Sequence, residues 1–346
     1  MKKILAMILA AMMLLALAAC GTTADETSAP PSDDAAVSDA PAEESEAPSE
    51  PAEAQYLVGI CQQMTHDALD SATQGFKDAL ADILGEGAVE YSEGNAGGEQ
   101  PNCVTIIDGL VSENVDLILA NATWPLQAAY SATSEIPVLG TSVTDYATAL
   151  NLDGWTGTVG NNISGTSDLA PLDQQAEMIQ ELFPDAANIG LLYCSGEPNS
   201  VYQIETIRGY LEDMGYTCEA YAFTDVNDLS SVTQTACDNS DVIYIPTDNT
   251  AAGNTETIAN VVLAAGVPVV AGESGICAGC GVATLSISYY DLGYTTGEMA
   301  AQILKGEADI STMPIEYAPN VTKMYNAANC EALGITVPDD YTAIEG

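Results

Sequence analysis

Short apolar runs alternate along this chain with longer stretches in which apolar residues return every three to four positions. The short runs at 56–61, 88–92, 116–120, 136–140, 188–194, 217–222, 241–245, 267–271 and 282–287 predict strands. The stretches at 67–84, 101–114, 125–133, 172–182, 199–214, 227–237, 252–265 and 291–305 predict helices. Strands alternating with helices of this length imply an α/β fold of parallel sheets covered on both faces. The same unit occurs twice. Tyr56-Leu57-Val58-Gly59-Ile60 is matched by Asn188-Ile189-Gly190-Leu191-Leu192, and Ile136-Pro137-Val138-Leu139 by Val267-Pro268-Val269-Val270. Gly59 and Gly190 are 131 positions apart, as are Pro137 and Pro268. With right-handed crossovers, the repeat predicts two doubly wound parallel-sheet lobes. A cleft between two lobes suits a small ligand.

The first 54 residues break the pattern. Lys2 and Lys3 precede an apolar run from Ile4 to Ala19, too short for a stable membrane span and flanked as a secretory signal is. Leu17-Ala18-Ala19-Cys20-Gly21 resembles the bacterial lipobox. That resemblance implies a signal peptide at 1–19, lipidation of Cys20 and an extracytoplasmic chain anchored to the cell membrane. Two acyl chains hold where one does not. Residues 21–54 are nearly all Ala, Pro, Ser, Thr, Asp and Glu. Such a segment buries too little to offset its ordering entropy, so residues 20–54 are expected to be an anchor and a disordered acidic linker.

Charge narrows the function. Ten of the 50 acidic residues precede position 55, leaving 40 against four basic ones, Lys77, Arg208, Lys305 and Lys323. So acidic a surface disfavours nucleic acid, which needs cations to displace counterions. It also repels anionic headgroups, which leaves anchoring to the lipid. Lys77 and Arg208 fall mid-helix, far from the strand ends, so an anionic ligand would find few cations. Besides Cys20 there are eight cysteines, at 61, 103, 194, 218, 237, 277, 280 and 330. Cys277-Ala278-Gly279-Cys280 sits among glycines and reads as a loop. It lacks the second pair that zinc needs and the helix-opening place of a redox motif, so a local disulfide or free thiols are expected there. No metal or other cofactor is expected.

In doubly wound sheets ligands bind beyond the carboxyl ends of the strands. The loops there are 62–66, 121–125 and 142–146 in the first copy, and 196–200, 247–250 and 273–275 in the second. The candidate ligand-binding residues are Gln63, Thr65, Thr123, Trp124, Ser142, Thr144, Asp145, Glu197, Asn199, Ser200, Asp248, Asn249 and Tyr289. Their hydroxyls and amides also suit helix caps. Asp145, Glu197 and Asp248 are candidate partners for a cation. Trp124 offers a stacking face, with interior packing as the alternative. The only histidine, His66, stands at a loop-to-helix junction and reads as structural. No Gly-x-Ser-x-Gly elbow or Gly-rich phosphate loop is present, which argues for a binding protein rather than an enzyme.

Residues spread over most of 56–338 resemble the bacterial ABC-transporter substrate-binding proteins of the type I periplasmic-binding fold, in the branch that includes tryptophan- and tyrosine-binding lipoproteins. They are His66-Asp67-Ala68-Leu69-Asp70, Ala122-Thr123 with Gln127, Val143-Thr144-Asp145, Gly165-Thr166-Ser167-Asp168, Gly196-Glu197 with Asn199-Ser200, Thr247-Asp248-Asn249-Thr250, and Tyr289-Tyr290-Asp291-Leu292-Gly293. The chain departs from the family pattern at Thr65, Trp124 and Tyr146, all in loops expected to face the cleft. The resemblance implies a three-segment hinge, a first lobe of 55–162 plus 285–313 and a second of 163–284 plus 314–346. It also implies a monomer that captures a small zwitterionic solute, an aromatic or other apolar amino acid, and hands it to a membrane permease and its ATPase. The ligand carboxylate would meet Ser142, Thr144, Asn199 and Ser200, and its side chain would lie against Trp124, Tyr146 or Tyr289. The alternatives are a sensory lipoprotein of the same fold and a neutral ligand of nucleoside or sugar type.

Overall fold

The apolar runs form strands because the tertiary structure buries them on both faces. Every residue of Leu117–Asn121 and of Val242–Ile245 is buried. The computed structural model describes residues 54–318 and 320–344. The expected signal peptide, Cys20 and the linker up to residue 53 lie outside the described residues.

The first stretch of chain runs β1 (Tyr56–Gln62), α1 (Asp67–Leu84), β2 (Val89–Asn95), α2 (Gln100–Glu113), β3 (Leu117–Asn121), α3 (Thr123–Ala132), β4 (Val138–Val143), α4 (Tyr146–Leu150) and β5 (Ile163–Ser167). The second runs α5 (Leu172–Leu182), β6 (Asn188–Cys194), α6 (Pro198–Asp213), β7 (Thr217–Phe223), α7 (Val226–Asn239), β8 (Val242–Ile245), α8 (Asn249–Ala252), α9 (Thr255–Ala265), β9 (Val269–Ala271), α10 (Ser274–Cys280) and β10 (Ala283–Ser286). The remainder is α11 (Tyr289–Leu304), β11 (Glu316–Tyr317), β12 (Thr322–Tyr325), α12 (Ala327–Leu333) and β13 (Thr342–Ala343).

Two sheets result, ordered β11-β5-β4-β3-β1-β2 and β13-β12-β10-β9-β8-β6-β7. Each contains the order second, first, third, fourth, fifth strand of its own copy, so the sequence duplication is a duplication of topology. That order reverses direction beside β1 and again beside β6, and such reversals open a crevice at the carboxyl ends of the strands. Pairing is parallel except between β10 and β12. Apolar side chains fill both faces of each sheet; Ile118 and Leu126 lie on one side of the first, Val58, Phe76 and Leu139 on the other.

The chain crosses between sheets three times, each time a few residues later than expected. β5 pairs with β4 in the first sheet, so the first crossing follows Ser167 rather than residue 162. β10 belongs wholly to the second sheet, and the return follows Ser286. β11 pairs with β5, so the last crossing follows Tyr317. The cause is compositional: Ile163-Ser164-Gly165-Thr166-Ser167 is buried yet hydroxyl-rich, and its sequence carries no strand-like apolar run. The returning helix α11 packs on α1 at very close range. A Cβ on Gly293 would overlap the carbonyl of Ala72, and one on Gly75 the carbonyl of Tyr290.

The Cys277–Cys280 segment is also corrected. Both residues belong to the helix α10, not a loop, because Glu273 caps that helix by accepting from the Gly275 and Ile276 N–H groups. Both thiols are free and buried, and burial pushes their pKa up, away from the reactive thiolate.

Candidate ligand-binding site

The two sets of strand ends face one another across a narrow cavity. The first lobe contributes His66, Ala68, Leu69, Ser142 and Asp168. The second contributes Asn199, Thr247, Asp248, Asn249, Ala252 and Glu273, and Tyr289 enters from the start of α11. Polar contacts join the lobes around this cavity. The His66 Nε2 lies 3.2 Å from Asn249 Oδ1, and the Gln203 amide donates to Thr144 Oγ1 at 3.3 Å. Burial holds the His66 pKa below its ordinary value, so the neutral imidazole donates from Nε2.

Three polar atoms at this cavity are buried without a partner: Asp168 Oδ1, Asn199 Oδ1 and Ser142 Oγ. Each has a local origin. Asp168 follows β5 at the first crossing, and its other oxygen already accepts from the Tyr289 hydroxyl at 2.9 Å. Asn199 stands in the first turn of α6, where Glu197 provides no side-chain cap. The Asn199 amide nitrogen is spent on the Thr247 carbonyl at 2.9 Å, which leaves its oxygen bare. Ser142 sits at a register shift between β4 and β5 with φ of 54°, a left-handed backbone that re-aims its hydroxyl.

Of the residues expected to bind a ligand, the structure brings Ser142, Asn199, Asp248, Asn249 and Tyr289 to the cavity wall. Thr144 and Ser200 are buried behind it. Glu197 is fully buried and saturated, accepting from Asn249 N (3.0 Å), Asn249 Nδ2 (2.7 Å), Thr250 N (2.9 Å) and Thr250 Oγ1 (2.7 Å). Asp145 caps α4 by accepting from Thr148 N at 2.7 Å. Gln63 and Thr123 are buried in the first lobe, where the Gln63 side chain accepts from Trp124 N. Thr65 is exposed and hydrogen-bonded to Asn95. Trp124 lines a separate groove with Pro101 and Val104, between α2 and α3. Tyr146 is 1% exposed inside the lobe, its hydroxyl donating to the Thr166 carbonyl. Neither Trp124 nor Tyr146 presents its ring to the cavity; both fill space between secondary-structure elements.

Sequence reasoning read His66 as structural and named the loops at 247–250 and 273–275, but it did not carry Ala68, Leu69, Asp168, Thr247, Ala252 and Glu273 into the candidate set. Asp168 lies inside the Gly165–Asp168 segment, and Glu273 follows a predicted strand directly, so position relative to strand ends was the available signal.

The cavity is strongly acidic, with no lysine or arginine in its wall. Burial raises the Asp168 pKa. Burial pushes Asp248 up to about 7, reinforced by the Glu197 charge. It pushes Glu273 up to about 7 too, despite the N–H groups that Glu273 caps. An ordinary carboxyl titrates near 4. Between about pH 4 and 7 the folded chain therefore binds more protons than the unfolded one, and its stability falls as pH rises across that window. The urea midpoint of the ligand-free protein should be higher at pH 5 than at pH 7.5, and Glu273→Gln should flatten that difference. An unchanged slope in the variant would remove Glu273 from the account.

Comparison with known proteins bears on this geometry. The family described as ABC transporter substrate binding protein matches residues 57–344. A tyrosine-binding protein of Clostridioides difficile (strain R20291) is 31% identical over 281 residues, 81% of each chain. Among solved structures, an ABC domain from Streptococcus pneumonia in complex with L-Trp aligns at TM-score 0.80 and 31% identity, covering 85% of this chain and all of that one. The ligand-free, open structure of a substrate binding protein with adhesive properties from Clostridium difficile aligns at 0.65, also at 31% identity, covering 84% of this chain and 99% of that one. At equal identity, the chain superposes more closely on the L-Trp-bound structure than on the open one.

Proposed function

We propose that this chain, which belongs to the ABC transporter substrate-binding protein family, captures an aromatic or other apolar amino acid between its lobes and delivers it to a membrane permease. The observation that carries this reading is the set of three unpartnered buried acceptors, Asp168 Oδ1, Asn199 Oδ1 and Ser142 Oγ, on one cavity. Leaving such groups unsatisfied costs about 1–3 kcal/mol each. An ammonium group has three N–H donors and one positive charge, and it answers all three. A neutral sugar or nucleoside would leave the Asp168 charge without a counterion.

The ligand carboxylate has no lysine or arginine to meet it, and rests on the Asn199 N–H in the first turn of α6, since Pro198 has none and the Ser200 and Val201 N–H groups donate to the Glu197 carbonyl. Ala68, Leu69, Ala252 and the Tyr289 ring supply the apolar wall for the side chain. The L-Trp complex and the tyrosine-binding relative favour an aromatic side chain. Capture proceeds by closure, and nothing in this cycle requires a chemical step on the ligand.

The chain acts outside the cytoplasm, as its family does. Among the described residues no helix is long and apolar enough to cross a membrane. In this reading Cys20 carries the lipid anchor and the acidic segment to residue 54 holds the monomeric lobes off the surface. A thermal-shift screen of the chain from residue 21 onward against the amino acids tests the reading. Tyrosine or tryptophan should raise the melting temperature by several degrees. Failure of every amino acid to do so, with a sugar or nucleoside succeeding, would overturn it.

A further inference from the structure

Beside the cavity, and sharing Thr247 with its wall, lies a small polar cluster that spans the two lobes. Gln203 projects from α6 of the second lobe and is 2% exposed. Its amide nitrogen has three acceptors in reach, Thr247 Oγ1 at 2.5 Å, the Asn199 carbonyl at 3.2 Å and Thr144 Oγ1 at 3.3 Å, while its oxygen accepts from Thr247 N at 3.2 Å. Thr247 follows β8 in the second lobe. Thr144 follows β4 in the first, and its hydroxyl lies 3.4 Å from that of Thr247. Thr144 is tied in turn to the first hinge crossing, because the Ser167 hydroxyl donates to its carbonyl at 2.8 Å.

We propose that Gln203 is a closure residue, which sets affinity by clasping Thr144 of the opposite lobe and not by touching the ligand. The inference rests on the reading above that the lobes open and close around a solute. On opening, the second lobe keeps Gln203 and Thr247 together, but Thr144 departs with the first, and the clasp is broken. Its contribution is therefore to the equilibrium between open and closed forms. A device of that kind shifts the apparent affinity for every ligand by one common factor. Direct contacts such as Asp168 change affinity according to the ligand's own groups.

The test uses the full chain in detergent micelles, with Gln203→Leu, which keeps the side-chain bulk, and Thr144→Val, made on the other lobe. Titration calorimetry should show Gln203→Leu weakening tyrosine and tryptophan equally, by roughly tenfold, within the range usual for coupling between conformational states. Hydrogen exchange in the ligand-free protein should quicken at 142–146 and 247–250 in both variants, and the double variant should add little to either. Two results would overturn the proposal. One is ligand-free exchange identical to wild type in both variants. The other is a loss for one amino acid many times that for the other, which would make Gln203 a ligand contact. If the wild type binds neither amino acid, the proposed function fails, and the exchange comparison still decides the role of Gln203.

Discussion

Asp168→Asn should remove high-affinity amino-acid binding and leave the lobes folded. The side chain is 4% exposed, one oxygen is held by Tyr289, and the other has no partner in the protein. The substitution keeps the shape and an acceptor for the tyrosine hydroxyl but removes the carboxylate whose free oxygen faces the ammonium. Breaking a buried, hydrogen-bonded charge pair from one side costs about 2–5 kcal/mol in binding. At about 1.4 kcal/mol per factor of ten, that is a loss of roughly 30- to 4,000-fold. Titration calorimetry reads the affinity and a thermal melt reads the fold. The melting temperature of the ligand-free variant should stay the same or rise, because an isolated buried carboxyl is replaced by a neutral group. Undiminished affinity would transfer the ammonium to another acid, with Asp248 and Glu273 next in line on the cavity wall.

Glu197→Ala should have the largest effect on stability. Four donors from Asn249 and Thr250 converge on this carboxylate, two of them backbone N–H groups. Alanine leaves them in the interior with nothing to accept from them. Hydrogen bonds to a charged group contribute about 1.5–3 kcal/mol each, and orphaned buried donors add a desolvation penalty. A loss of at least about 3 kcal/mol in urea unfolding is expected, with binding lost as well, since Asn249 then no longer holds its place against His66. Glu197→Gln keeps one acceptor oxygen and should lie between. A variant that unfolds at the wild-type midpoint would show that this carboxylate does not organise the loop after β8.

These two residues show what the sequence could and could not reveal. Helices 67–84 and 172–182 were legible to their ends, because their apolar residues return at helical spacing and little else competes. The topology was legible through the duplication itself. What escaped depended on contacts between distant segments. β5 is buried by β4, β11 and the crossing beside it, so its hydroxyl-rich sequence gives no warning. Glu197 and Asp145 look like free acids at strand ends, yet one is consumed by the loop 52 residues on and the other by its own helix. Trp124 reads as a stacking face in the cleft, yet it lines a groove between α2 and α3 instead. Asp168 is the converse. Nothing near it in sequence marks its partner, and only the return of Tyr289 across 121 residues leaves one oxygen held and the other bare.

Titration calorimetry of L-tyrosine and L-tryptophan, each against the same molecule lacking its amino group, tests the central claim most directly. If an ammonium satisfies Asp168, Asn199 and Ser142, the amino acid binds and its deaminated analogue is weaker by about a hundredfold or more. Equal affinity for both members of a pair would contradict the account, because the acceptors that face the cavity would then have no part in holding the ligand.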